Sequence, residues 1–294
     1  IVGITAAMPS GTGLSKMMKQ MPHRAFDVGI AEMHAVVEAA GMATQGLKPF
    51  VAIYSSFLQR AYDGIIHDVA LQDLPVVFCM DRSGLVGADG ATHHGALDIP
   101  YLRCVQNMVV AAPMEAQDLR NLMFSASLHA KGPYAIRYPR GGTSDEGIGP
   151  FVEIPIGTGR KVTGGADVAI LSYGAIGQSV SIARKHLQEA GIDAAHYDLR
   201  FVKPLDQALL EEVFTMFDVV VTIEDGVIQG GAGSAVLEWM SDHGYKADVL
   251  RLGLPDTFVE HGTQNELYAE AGLDPQGIAR QTLAFIRQHQ SMNA

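Results

Sequence analysis

Apolar residues along this chain follow two alternating rhythms. Short runs rich in β-branched residues are separated by longer stretches in which apolar positions return every third or fourth residue. That alternation predicts α/β units on a mainly parallel sheet. The opening Ile1-Val2-Gly3-Ile4-Thr5 reads as a buried strand, with further strands over 50–54, 75–80, 108–112 and 134–138. Helical spacing covers 31–46, 57–72 (an amphipathic stretch) and about 115–130.

The rhythm lapses twice. Residues 82–95 are too dense in glycine for regular structure. Residues 140–155 hold four glycines and two prolines without sustained periodicity. A second α/β set then begins, with strands near 168–172, 194–198, 219–223 and 247–251 and a closing helix over about 275–288. The expected organisation is therefore two α/β domains, 1–142 and 159–294, joined by a linker at 143–158.

Composition narrows the function classes. The chain has 294 residues, 48% of them hydrophobic and 18% charged, which suits globular domains. No apolar run approaches the roughly 20 residues of a membrane helix, so a membrane role is not expected. A formal net charge of -11 argues against nucleic acid as a partner. It leaves room for a small anionic substrate, because a few arginines in a cleft dominate locally. Two cysteines, Cys79 and Cys104, make no disulfide framework, and a reducing, cytoplasmic setting fits them. The chain opens inside a strand without a methionine or a basic leader, so a longer polypeptide is expected to precede Ile1.

Four segments carry residue types suited to chemistry. In Asp27-Val28-Gly29-Ile30-Ala31-Glu32-Met33-His34 a glutamate stands at a strand-to-helix junction amid apolar neighbours. It is either a carboxylate favoured by the helix dipole or a carboxyl in an apolar pocket with a raised pKa, suited to moving protons. In 52–63 a strand ends and Tyr54, Phe57 and Arg60 follow, at the strand end where open α/β sheets bind ligands. Core packing for Phe57 and a solvated helix face for Arg60 are equally compatible with that spacing.

The third segment, Asp81-Arg82 through Gly95, carries Asp89, His93 and His94. Long loops at such positions tend to carry function, though this one lacks a convincing metal-ligand set. The last, Arg137-Tyr138-Pro139-Arg140, ends a strand. Arg140 there is either a linker charge or a group placed to hold a carboxylate or phosphate.

These same segments carry a resemblance. Asp-Val-Gly-Ile-Ala-Glu at 27–32, Ala-Ile-Tyr-Ser-Ser-Phe-Leu-Gln-Arg-Ala-Tyr-Asp at 52–63 and Gly-Leu-Val-Gly-Ala-Asp-Gly-Ala-Thr-His-His-Gly at 84–95 resemble deoxyxylulose-phosphate synthases. Tyr-Pro-Arg-Gly at 138–141, Arg-Phe-Val-Lys-Pro-Leu-Asp at 200–206 and Gly-Gly-Ala-Gly-Ser at 230–234 extend the likeness along the whole chain. Met33 departs from it, since the family usually has glutamine there. The family's N-terminal Gly-Asp-Gly motif is also missing: Ala88-Asp89-Gly90 and Glu224-Asp225-Gly226 lack the first glycine.

The resemblance implies a thiamin-diphosphate-binding (pyrimidine) fold followed by a transketolase C-terminal-like domain. It further implies a homodimer that decarboxylates pyruvate and joins the two-carbon unit to D-glyceraldehyde 3-phosphate, with thiamin diphosphate as electron sink. Mg²⁺ and the diphosphate would then be held by a separate N-terminal domain, leaving no metal ligand here and this fragment inactive alone. On this reading Glu32 bonds the pyrimidine ring nitrogen and Phe57 stacks on its face, with Tyr54 beside the cofactor. Tyr54, Arg60, Asp89 and His93 line the acceptor side, His93 in a catalytic role, and Arg82 and Arg140 suit the phosphate. Two rivals stand beside it: a transketolase or 2-oxo-acid dehydrogenase β-type subunit, which the loop at 84–95 disfavours, and a non-catalytic assembly module.

Overall fold

The computed structural model describes residues 1–142 and 148–292. Part of the expected linker, 143–147, therefore lies outside the described residues. The first sheet is built from β1 (Val2–Thr5), β2 (Ala25–Asp27), β3 (Pro49–Tyr54), β4 (Val77–Asp81), β5 (Val109–Ala111) and β6 (Tyr134–Arg137). Around it lie α1 (Leu14–Gln20), α2 (Glu32–Thr44), α3 (Ser55–Leu58), α4 (Tyr62–Gly64), α5 (Asp98–Arg103) and α6 (Ala116–Leu128). β1 and β4 are buried along their whole length, as strands covered on both faces of a parallel sheet must be. α2 buries Glu32, Ala35, Val36, Ala39, Ala40 and Ala43, a helical stripe whose small residues let it lie close to the sheet.

The helix expected over 57–72 is not one regular helix. It begins earlier, at Ser55, passes through a 3₁₀ turn at Gln59–Ala61 and continues as a π-helical stretch over Ile65–Ala70. Its glycine packs tightly on α2: a Cβ at Gly64 would stand 2.7 Å from the Met33 sulfur. Such wide turns are rare and are found mostly at functional sites.

The second sheet contains β7 (Arg160–Thr163), β8 (Val168–Tyr173), β9 (Ala194–Asp198), β11 (Val219–Val227) and β12 (Asp248–Leu254), in the order β12-β11-β8-β9-β7. α7 (Gly177–Glu189), α8 (Gln207–Met216), α9 (Ala232–Asp242), α10 (Gln264–Glu270) and α11 (Pro275–Met292) pack around it. Asp206 caps α8 by accepting from Leu209 N at 3.0 Å, and Thr263 with Glu266 forms a capping box on α10.

One strand crosses between the domains. β10 (Phe201–Lys203) follows β9 in sequence but joins the first sheet, pairing antiparallel with β5. The first sheet therefore has seven strands, in the order β10-β5-β6-β4-β3-β1-β2.

Charges reinforce the same joint. Arg137, 2% exposed, donates through Nε to Asp98 at 3.0 Å and through Nη1 to Asp225 of the second domain. Arg160 and Arg200 of the second domain both bond Asp118 on α6, at 2.9 and 3.0 Å. Removing one member of such a buried pair strands the other, at a cost of about 3–5 kcal/mol.

Candidate active site

The candidate residues gather past the carboxyl ends of β3, β4 and β6 and at the start of α2. Glu32 is the first residue of α2 and is 4% exposed; Arg60 Nη1 donates to its Oε1 at 2.6 Å. The Arg60 guanidinium also lies over the Phe57 ring, 5.0 Å from its centre. Phe57 in turn stacks on Tyr54 at 5.8 Å and meets the His93 ring edge-on at 5.0 Å. The Arg82 guanidinium covers Tyr54 at 3.8 Å. Glu32, Arg60, Phe57, Tyr54 and Arg82 thus form one continuous chain of contacts, with His93 at its side.

Backbone strain accompanies this arrangement. Arg82 has φ 61°, a left-handed conformation unusual for a side chain of its size. Its backbone N–H donates to Asp81 Oδ1 at 2.7 Å, and its Nη1 donates to Gly11 O at 3.2 Å and pairs with Asp81 Oδ2 at 2.9 Å. Burial raises the Asp81 pKa, and the Arg82 charge beside it opposes that rise. Burial likewise raises the Tyr54 pKa, so its hydroxyl stays protonated as a donor.

The glycine-rich segment folds back on itself, with Gly84 and Gly95 exchanging backbone hydrogen bonds at 2.8 and 2.9 Å. The two histidines diverge. His94 is buried: its Nδ1 accepts from Val86 N at 3.1 Å, which leaves Nε2 to donate to Glu260 O at 3.2 Å. His93 contacts Thr92 Oγ1 through Nδ1 at 2.9 Å and faces Phe57. Asp89 and Arg140 form a half-exposed ion pair at 3.1 Å, and Arg140 also donates to Val86 O at 3.0 Å. A cavity of about 400 Å³ reaches Asp81, Tyr138 and Arg140.

The structure gathers eight of the residues that the sequence singled out into two groups and sets His94 apart from both. Glu32, Arg60, Phe57, Tyr54, His93 and Arg82 form one, Asp89 and Arg140 the other. Arg60 turns toward Glu32, a partnership that spacing did not suggest. A larger cavity, about 820 Å³, lies elsewhere, between the domains at Tyr62, Tyr101, Cys104 and Arg251. It is lined by none of the residues in these two groups.

Sequence reasoning also missed Glu224. It accepts from Ala232 N at 2.7 Å and Gly233 N at 2.9 Å, so the Gly-Gly-Ala-Gly-Ser motif serves as a carboxylate-capped helix start. Burial still raises its pKa to about 7.

This fold is that of the transketolase family. Residues 1–144 match the transketolase pyrimidine-binding domain and residues 157–278 the transketolase C-terminal domain, and the chain belongs to that family. Within it, the sequence is similar to 1-deoxy-D-xylulose-5-phosphate synthases. It is 58% identical over 282 residues to that of Cytophaga hutchinsonii, covering 95% of this chain and 44% of the relative. It is 56% identical over 286 residues to that of Bacteroides thetaiotaomicron, covering 96% and 44%. The chain thus spans less than half the length of these relatives.

Among solved structures, a split-gene transketolase described as an inactive β4 tetramer superposes with TM-score 0.83 at 29% identity, covering 97% of this chain and 91% of that one. A Pichia stipitis transketolase in complex with sedoheptulose 7-phosphate gives TM-score 0.76 at 17% identity, covering 99% and 43%, a likeness of fold alone.

Proposed function

We propose that this chain supplies the pyrimidine-binding and C-terminal domains of a thiamin-diphosphate-dependent synthase. That synthase converts pyruvate and D-glyceraldehyde 3-phosphate to 1-deoxy-D-xylulose 5-phosphate and CO₂. The observation that carries the reading is the contact chain from the buried Glu32 to Arg82. It sets a carboxylate, a flat aromatic ring and cationic forks in one row of contacts.

These residues suit an aminopyrimidine. Glu32 would hold a proton at the ring nitrogen, with its carboxyl kept from bulk water at the head of α2. Phe57, partly exposed between Arg60 and His93, offers a face on which the ring would stack. When bound, thiamin diphosphate supplies the electron sink for decarboxylation and carbon–carbon bond formation. Tyr54 and His93 would orient the acceptor carbonyl, Asp89 its hydroxyls, and Arg82 and Arg140 its phosphate, which guanidinium forks fit well. Mg²⁺ and the diphosphate would be held by a domain outside this chain.

We infer a homodimer in the cytoplasm for the complete enzyme. The split-gene transketolase's description as an inactive tetramer supports a further reading, that these two domains assemble without turning over on their own.

The test is to assay the chain with and without a diphosphate-binding domain from a relative, following Mg²⁺-dependent product formation. Turnover should require the added domain. Turnover by the chain alone, or none in the completed enzyme despite stable assembly, would sink the proposal.

A further inference from the structure

The second domain lays one of its segments across the glycine-rich loop. Gln264 Nε2 donates to Leu85 O at 2.7 Å and to Arg140 O at 3.4 Å. Tyr268, half-buried beneath, is bonded through its hydroxyl to the Leu85 backbone, and His94 reaches Glu260 O at 3.2 Å. The approach is too close for side chains on the loop. A Cβ at Gly84 (φ 75°) would stand 2.6 Å from Asp225 Oδ2, and one at Gly87 (φ 91°) 3.2 Å from Gly262 O.

Below the loop, Asp225 pairs with Arg137, Arg137 with Asp98, and Asp98 accepts from Ser83 Oγ at 2.9 Å. Every one of these contacts ends on the base of the loop or on the strand that leads to Arg140.

The Asp89–Arg140 pair does not fix its own geometry. Both side chains are nearly half exposed, at 43% and 44%, and such pairs contribute little once screened by water. Their separation is set instead by the bond from Arg140 Nη1 to Val86 O at 3.0 Å and by further tethers on the two main chains. Gln264 is the side chain that bonds both segments at once, one carbonyl on the loop and one at the end of β6.

We propose that Gln264 is a positioning residue for the acceptor phosphate, a role for the second domain at a site whose binding groups all lie in the first. The inference rests on the function proposed above. It predicts that loosening Gln264 affects the acceptor and leaves the cofactor end untouched.

The experiment uses Gln264→Leu, which keeps bulk without a donor, and Gln264→Glu, which keeps length without an N–H. Hydrogen–deuterium exchange on the 294-residue chain should show peptides from 84–95 exchanging about fivefold faster in both variants, the scale of one lost hydrogen bond. Peptides from α2 should be unchanged, and the melting temperature should be nearly so. In the enzyme completed by a diphosphate-binding domain, KM for glyceraldehyde 3-phosphate should rise by about the same factor. KM for pyruvate and deuterium exchange at the thiazolium carbon should hold.

Unchanged loop exchange would overturn the tether, and equal rises in both KM values would overturn the phosphate role. If the unmutated completed enzyme formed no product, the function reading would fail and take the phosphate role with it; the exchange data would still decide the tether.

Discussion

Arg60 donates to Glu32 at 2.6 Å although the two side chains differ sharply in exposure, 58% against 4%. The buried carboxylate is therefore held from the solvent side by a guanidinium that itself rests on Phe57 at 5.0 Å. A flat ring entering beside Phe57 meets a carboxyl whose direction is already set, at a helix start where negative charge is favoured.

Glutamine in place of Glu32 keeps the size and one hydrogen bond but cannot exchange the proton. In the completed enzyme, Glu32→Gln should melt within a few degrees of the parent and bind cofactor only modestly less well. Deuterium exchange at the thiazolium carbon should slow by at least about a hundredfold, the scale of general acid–base catalysis. Exchange at the parental rate in a folded variant would remove Glu32 from the mechanism.

Arg82 and Arg140 flank the site from the ends of β4 and β6. Arg82→Ala or Arg140→Ala should lower efficiency for glyceraldehyde 3-phosphate by roughly 10- to 150-fold, the worth of a charge-assisted contact of about 1.5–3 kcal/mol. The pyruvate KM should move far less. Steady-state kinetics with each substrate varied in turn decides the matter, and matched losses for both would reject phosphate binding.

His196 makes stability depend on pH. It is fully buried, with Nε2 at 2.8 Å from Ser172 Oγ, and Nδ1 has no hydrogen-bond partner among the described residues. Burial, with Arg184 and Arg160 nearby, pushes its pKa down to about 4 from 6.5. A base with a depressed pKa is held neutral by the fold. Its stabilisation is present above pH 6.5 and is lost as the pH falls toward 4. A shift of this size makes this one ring remove roughly 2–3 kcal/mol between about pH 7.5 and 4.5, or about 5–10 °C in Tm. Thermal melts of the parent and of His196→Gln across that range should converge by this amount at the acid end. Parallel pH profiles would show that His196 does not titrate with folding.

Much of this was legible in the sequence, and the failures are instructive. β3, β4 and β8 announced themselves as apolar runs because both their faces are covered. The loop at 84–95 declared itself by glycine density, and the strands on either side told which end of the sheet it occupied. The Glu32–Arg60 bond was not legible, since it spans 28 residues and depends on the short wide-turned helices after β3. β10 is three residues long and carries no period of its own. The Gln264 contact with Leu85 joins residues 179 apart, a separation that no local pattern encodes.

β10 also bears on the order in which the molecule can be made. As the chain is synthesised, the sheet that holds the candidate site gains six strands by Arg137 and then waits for its seventh. The rim of β5 stays open until Phe201–Lys203 has emerged, by which time β7, β8 and β9 of the other sheet have already been made. An unpaired strand rim is where nascent chains stick to one another. The first domain is thus completed by a piece of the second, and any cut or graft placed between 142 and 159 would separate the site's own sheet from its last strand.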